Sequence, residues 1–210
     1  LFGFSGISDL LRQWLAVPAD LTRLLTRPWT LFTYMFLHEG FIHILFNLLW
    51  LYVFGRIFLM YLSEKRLTSV YLVGGLSGAV LYILAFNIFP AFQQAVPMSI
   101  ALGASASVMA IVIAISVYVP NFSINLLLIG PVKLKYIAIF TIVLDVLSIP
   151  TSNSGGHIAH LGGALFGYLY ISQFRKGRNI TRGFDRFMDR VFAMFKPKPR
   201  FRVTHKRPGT

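Results

Sequence analysis

No cysteine occurs among the 210 residues, so disulfides, thiol catalysis and zinc–thiolate centres are excluded, while the redox compartment stays open. Acidic side chains are scarce as well, with 7 Asp and Glu against 20 Lys and Arg, and charged residues of both signs make up only 13% of the chain. Hydrophobic residues make up 56% and the mean hydropathy is +0.67, a balance that excludes an ordinary soluble domain. The formal charge of +13 raises nucleic acid as a partner, but its distribution argues against one. Residues 175–210 hold 12 of the 20 basic side chains and two acids, which reads as a juxtamembrane segment facing anionic lipid.

What is present is a series of long apolar runs. Five of them are long enough to span or nearly span a bilayer: residues 41–62, 67–89, 98–119, 134–149 and 157–174. The fold class expected is therefore an all-α polytopic membrane protein. Residues 1–40 form no clean span. Ile7 to Val17 carries Leu10, Leu11, Trp14 and Leu15 on one side and Asp9, Arg12 and Gln13 on the other, the pattern of an interfacial amphipathic helix. Trp29, Phe32, Tyr34 and Phe36 add an aromatic band suited to headgroups.

Positive charge sets the orientation. Lys65 and Arg66, Lys133 and Lys135, and the C-terminal tail fall on one side, whereas residues 90–97 and 150–156 carry no charge, so the charged side is expected to be cytoplasmic. Span one then begins outside, Arg12, Arg23 and Arg27 lie against the rule, and a sixth helix is expected upstream of Leu1. After the last span, Ile180, Phe184, Phe187, Met188, Val191 and Phe195 recur at helical spacing with Arg182, Arg186 and Arg190 on another face. Such a helix either lies on the cytoplasmic leaflet or packs against the membrane domain. A basic, Pro-interrupted tail completes the chain.

Polar residues inside apolar runs need a reason. Ala101-Leu-Gly-Ala-Ser-Ala-Ser-Val-Met-Ala110 places Ser105 and Ser107 near the start of span three, about two turns in for Ser105. Gly103 and Ser107 also fit the small-xxx-small spacing of close helix packing. Gly155-Gly-His-Ile-Ala-His-Leu-Gly-Gly163 supplies His157 and His160, and His43 and Asn47 lie four apart at the head of span one, on one face. Ser105 and these four polar residues are expected at similar depth below the outer face. Serine and histidine so placed fit a nucleophile and its base, and the imidazole and amide N–H groups are donors of the kind an oxyanion requires.

His38, Glu39 and His43 nearly spell a zinc-protease motif. Their spacing of five turns the second histidine about 140° from the first on a helix, so no metal is expected there. A site from His43, His157 and His160 stays open, although no second carboxylate or thiolate supports it. Asp145, near the outer end of span four, is either functional or a hydrogen-bonded loop anchor, and it stays outside the expected site.

From Trp29 to about Tyr170 the chain resembles the rhomboid family of intramembrane serine proteases. The resemblance rests on His43-xxx-Asn47, Gly103-x-Ser105 and Ala159-His160-xx-Gly163-xxx-Gly167, in that order and each on its own span. It implies a rhomboid-like helical bundle and a Ser-His dyad with Ser105 as nucleophile and His160 as general base. His43, Asn47 and the Ser105 backbone N–H would hold the oxyanion. No cofactor and no acidic third member are implied. Gly163 and Gly167 would let the last span approach span three, with Gly103, Ala106 and Ser107 offering the small surface it meets, and His157, closer to the loop, is expected to be a wet surface or gate residue. Departures are Ala106 for the usual glycine after the nucleophile, Met109 for an aromatic residue, and Thr30 for arginine in Pro-Trp-Arg.

The domains expected are an interfacial loop at 1–40, a membrane catalytic domain at 41–174 and a basic cytoplasmic tail at 175–210. The function implied is cleavage of single-span transmembrane proteins near the outer face of a membrane, expected to be the plasma membrane. The partners are those substrates and the lipid bilayer, with anionic lipid at the tail. Two alternatives are a catalytically inactive rhomboid-like protein that binds transmembrane helices and, less favoured, a transporter with a histidine relay.

Overall fold

The computed structural model describes residues 2–127 and 129–195. The tail at 196–210, including its Pro-interrupted basic stretch, lies outside the described residues. Helix α1 spans Phe2–Leu15 and leads through strand β1 (Val17–Pro18) into two short helices, α2 (Leu21–Thr26) and α3 (Thr30–Thr33). Asp20 caps α2 by accepting the Arg23 N–H at 2.9 Å. Trp14 and Trp29 stack at 6.0 Å, Arg27 lies 4.4 Å over the Trp14 ring, and Arg12 pairs with Glu39 at 3.1 Å. Two of the three arginines that ran against the charge rule are thus held within the loop itself.

Helices α4 (Gly40–Tyr61) and α5 (Glu64–Ile88) are both long and apolar enough to cross a membrane, with mean hydropathies of 1.7 and 1.8. Helix α4 sends Phe41, Leu45, Leu49 and Tyr52 outward, apolar surface that water would penalise and lipid accepts. Strand β2 (Ile100–Ala101) precedes α6 (Ser105–Tyr118), which is buried along nearly its whole length. A hairpin of β3 (Ser123–Leu126) and β4 (Gly130–Lys133) then leads to α7 (Leu134–Ser148), α8 (Ser154–Arg175) and α9 (Arg182–Phe195).

The third apolar run differs from the expectation. Residues 98–104 are not helical, and α6 begins at Ser105 itself. Two causes combine: Gly103 takes φ +124°, a conformation closed to other side chains, and the preceding segment is tied to the N-terminal loop. Strand β1 pairs antiparallel with β2, Val17 opposite Ala101, and the Gly103 N–H donates to the Tyr34 carbonyl at 2.9 Å. Fourteen residues of α-helix reach only about 21 Å, less than the roughly 30 Å of a hydrocarbon core. Helix α6 is therefore shorter than such a core, and the residues just before its first residue, 98–104, are not helical.

Glycine lets α5, α6 and α8 pack backbone to backbone. A Cβ on Gly163 would lie 2.0 Å from the Ala106 carbonyl oxygen, and one on Gly167 would lie 2.3 Å from that of Ala110. From α5, a Cβ on Gly78 would meet Ala106 Cβ at 2.6 Å and the Ala159 carbonyl oxygen at 2.8 Å. Ala106 is thus the small surface against α8, as expected, but Gly103 and Ser107 are not. Gly103 faces His43, and Ser107 is fully buried against Gly75 and Met35. Arg175 closes the far end of α6 by donating to the Val117 and Tyr118 carbonyls at 2.7 and 3.0 Å.

Helix α9 packs back on α5. Asp185 accepts from Ser69 at 2.6 Å and from Asn179 at 2.9 Å, and Asp189 pairs with Lys65 at 2.6 Å. Phe184 and Met188 pack against the core while Phe187, Phe192 and Met194 stay exposed, so packing against the body and an outward apolar face coexist in one helix.

Candidate active site

A cavity of about 440 Å³ opens between α4, α6, α7 and α8, and its polar lining consists chiefly of His43, Asn47, Ser105, Asp145, His157 and His160. Ser105 is the first residue of α6, where backbone N–H groups have no partner within the helix and the helix dipole is positive. Its backbone N–H and hydroxyl therefore belong to one anion-receptive helix end. Ser107, two residues on, has its hydroxyl buried without a partner and does not line the cavity.

His43 stands beside Ser105. A Cβ on Gly103 would fall 3.0 Å from His43 Nε2 and 3.4 Å from Ser105 Oγ, so the imidazole and the hydroxyl crowd one point that only glycine leaves empty. Asn47, one turn on in α4, is buried and donates one Nδ2 hydrogen to the His43 carbonyl at 2.9 Å. Its second amide hydrogen has no protein acceptor among the described residues.

His38 was expected to point away from His43. It precedes α4, so the helical angle does not govern it, and the two rings meet edge-on at 5.2 Å. Behind them, Tyr34 is buried and donates to the Gly75 carbonyl at 2.5 Å; burial pushes its phenol above the ordinary range. That bond locks the N-terminal loop to α5, and the same tyrosine's carbonyl holds Gly103.

The largest departure concerns Asp145. This carboxylate on α7 is 6% exposed, and its Oδ1 lies 2.9 Å from His160 Nδ1 and 2.8 Å from His157 Nδ1. His157 is not a free surface histidine: it shares one oxygen with His160, the two rings being nearly perpendicular. The left-handed Asn153 (φ 42°) starts α8 four residues before His157 and accepts from the Gly156 N–H at 3.2 Å, which sets the helix phase. Among the described residues, Ser105 and His160 line the same cavity without a hydrogen bond between them.

Asp145, His157 and His160 also present the atom types of a zinc site, within 4.8 Å of one another. Their separations of 2.8 and 2.9 Å are those of hydrogen bonds, and an ionised carboxylate oxygen accepts them from protonated Nδ1 atoms, which leaves each ring's Nε2 as its remaining acceptor. His43 is not part of that group.

A helical, membrane-embedded protein with a serine at a helix start and a carboxylate-held histidine lining the same cavity is the class that fold and cavity define. The rhomboid domain model matches residues 25–176, and the chain belongs to the rhomboid family. It is similar to RHOMBOID-like protein 12, mitochondrial, of Arabidopsis thaliana, at 32% identity over 71% of this chain and 47% of that protein. It is also similar to Presenilin-associated rhomboid-like protein A, mitochondrial, of Danio rerio, at 30% identity over 77% of this chain and 40% of that protein. The chain thus spans less than half the length of these relatives. Both carry mitochondrial names, so the expectation of a plasma-membrane location draws no support from them.

Proposed function

We propose that this protein is an intramembrane serine endopeptidase that cleaves single-span transmembrane proteins near the outer face of its membrane. Five spans with a charge-rich C-terminal side, a further upstream span and anionic lipid at the basic tail belong to the same proposal. The observation that carries it is the sharing of one cavity by Ser105, at the start of α6, and His160, whose Nδ1 is already engaged.

In this reading Ser105 Oγ attacks a substrate carbonyl while His160 Nε2 takes the hydroxyl proton. The tetrahedral oxyanion is held by the Ser105 N–H, the His43 imidazole and the free Asn47 amide hydrogen. Collapse breaks the C–N bond, the amine leaves with the proton from His160, and water entering the cavity hydrolyses the acyl-serine by the same proton route. Substrates are helices that unwind readily at cavity depth, because an intact helix keeps its carbonyls in hydrogen bonds.

A catalytically inactive protein that binds transmembrane helices is the second reading. It is favoured by the open Ser105–His160 pair and by Met109 lining the cavity where the family more often has an aromatic ring. Treatment of the detergent-purified protein with a serine-directed fluorophosphonate decides between them. Labelling that is lost in Ser105→Ala and kept in Ser107→Ala supports the protease; no labelling of the wild type, or equal labelling of Ser105→Ala, refutes it.

A further inference from the structure

We propose that Asp145 is a positioning residue for His160, so that the site works as a serine–histidine–aspartate relay rather than as a dyad. The proposal rests on the protease reading. It starts from hydrogen-bond capacity. A carboxylate oxygen only accepts when ionised, so an oxygen 2.9 Å from His160 Nδ1 and 2.8 Å from His157 Nδ1 requires the proton of each neutral ring to sit on Nδ1. Nε2 of His160 is then left with its lone pair free, and a neutral imidazole with a free Nε2 is the form that accepts the Ser105 proton.

Asp145 has no comparable partner elsewhere among the described residues. Its Oδ2 is buried without a hydrogen bond, and the groups facing Oδ1 are the two imidazoles of α8. The other titratable group lining the cavity is His43 on α4, while α6 contributes Ser105 and no charge. A carboxylate buried at 8% side-chain exposure is costly unless paired, and the pairing it has is with the general base. When His160 takes the serine proton, the anion 2.9 Å away stabilises the new positive charge directly. His157, one turn earlier on α8, donates to the same oxygen and holds the carboxylate in place from the loop side. A loop anchor would need only some bond between α7 and α8. A relay needs this acceptor on this nitrogen.

Asp145→Asn separates the two roles, because asparagine keeps the shape and a hydrogen bond but can donate to Nδ1 and so favour the tautomer whose Nε2 carries the proton. The fluorophosphonate reaction is followed as a saturable process at fixed pH, with thermal unfolding in detergent beside it. The expected result is a fall of at least about 10²-fold in the limiting inactivation rate, with half-saturation within about threefold and unfolding unchanged. A wild-type limiting rate in a folded Asp145→Asn protein overturns the proposal while leaving the protease reading intact. A wild type that is never labelled overturns both. If Asp145→Asn does not fold, ¹⁵N spectra of histidine-labelled wild type decide: His160 protonated on Nδ1 with a strongly downfield proton supports the relay, and His160 protonated on Nε2 overturns it.

Discussion

Substituting Gly163 by alanine tests whether backbone contact between α6 and α8 sets the catalytic geometry. The added Cβ would sit 2.0 Å from the Ala106 carbonyl oxygen and 2.8 Å from its carbonyl carbon, where ordinary contact begins at 3.4 Å. Both partners are helix backbone, so no side chain can swing aside. Helix α8 must retreat from α6 by about 1.4 Å, the difference between 2.0 and 3.4 Å. His160 lies one turn before Gly163 on the same face and Ser105 one residue before Ala106, so the retreat falls almost wholly on the distance between Ser105 and His160. A misplacement of about 1 Å costs roughly 10²-fold in rate, and overpacking costs about 1–3 kcal/mol in stability. Fluorophosphonate labelling should therefore slow by about 10²-fold, with a moderate fall in unfolding temperature. Gly183→Ala on α9, where a Cβ meets nothing within 4 Å, should leave both unchanged. A Gly163→Ala protein that labels at the wild-type rate would refute the idea that this approach sets the spacing of Ser105 and His160.

The same geometry sets three further outcomes. Gly103→Ala places a Cβ 3.0 Å from His43 at φ +124° and should cost about 1–3 kcal/mol together with most activity, read by thermal unfolding and labelling. Asn47→Ala should lower the cleavage rate by about 10²- to 10³-fold with little change in substrate binding, if its free amide hydrogen meets the oxyanion; an unchanged rate removes Asn47 from that role. Asp185→Ala removes the acceptor of Ser69 and Asn179 and should loosen α9 from α5, measured as faster limited proteolysis between Arg175 and Arg182, with labelling of Ser105 retained.

The apolar runs at 41–62, 67–89, 134–149 and 157–174 correspond in position to α4, α5, α7 and α8, and among the described residues α4 and α5 are long and apolar enough to cross a membrane. Where span three begins was not legible. Met98 to Ala104 carries no charge and reads as one apolar run with α6, and its departure from helix depends on pairing with Val17 and on the Tyr34 carbonyl, both far away in sequence. The β3–β4 hairpin falls between the third and fourth apolar runs, where no element was expected from the sequence. Within the site, the motif residues were visible through their type and order. Asp145 was visible only as an anomaly, an acid in an apolar run. Nothing in sequence spacing shows that α7 lies against α8 at the level of two histidines. His157 and His38 were misjudged because a position near a loop or before a helix does not fix the direction of a ring.

The most direct test of the central claim is cleavage itself. Reconstituted in liposomes with a set of single-span helices that carry helix-breaking residues in their outer halves, the wild-type protein should release fragments cut at one defined bond. Ser105→Ala and His160→Ala should release none while still binding the same helices. Fragments of the same mass from Ser105→Ala, or binding without cleavage by the wild type across the whole set, would contradict a protease centred on Ser105.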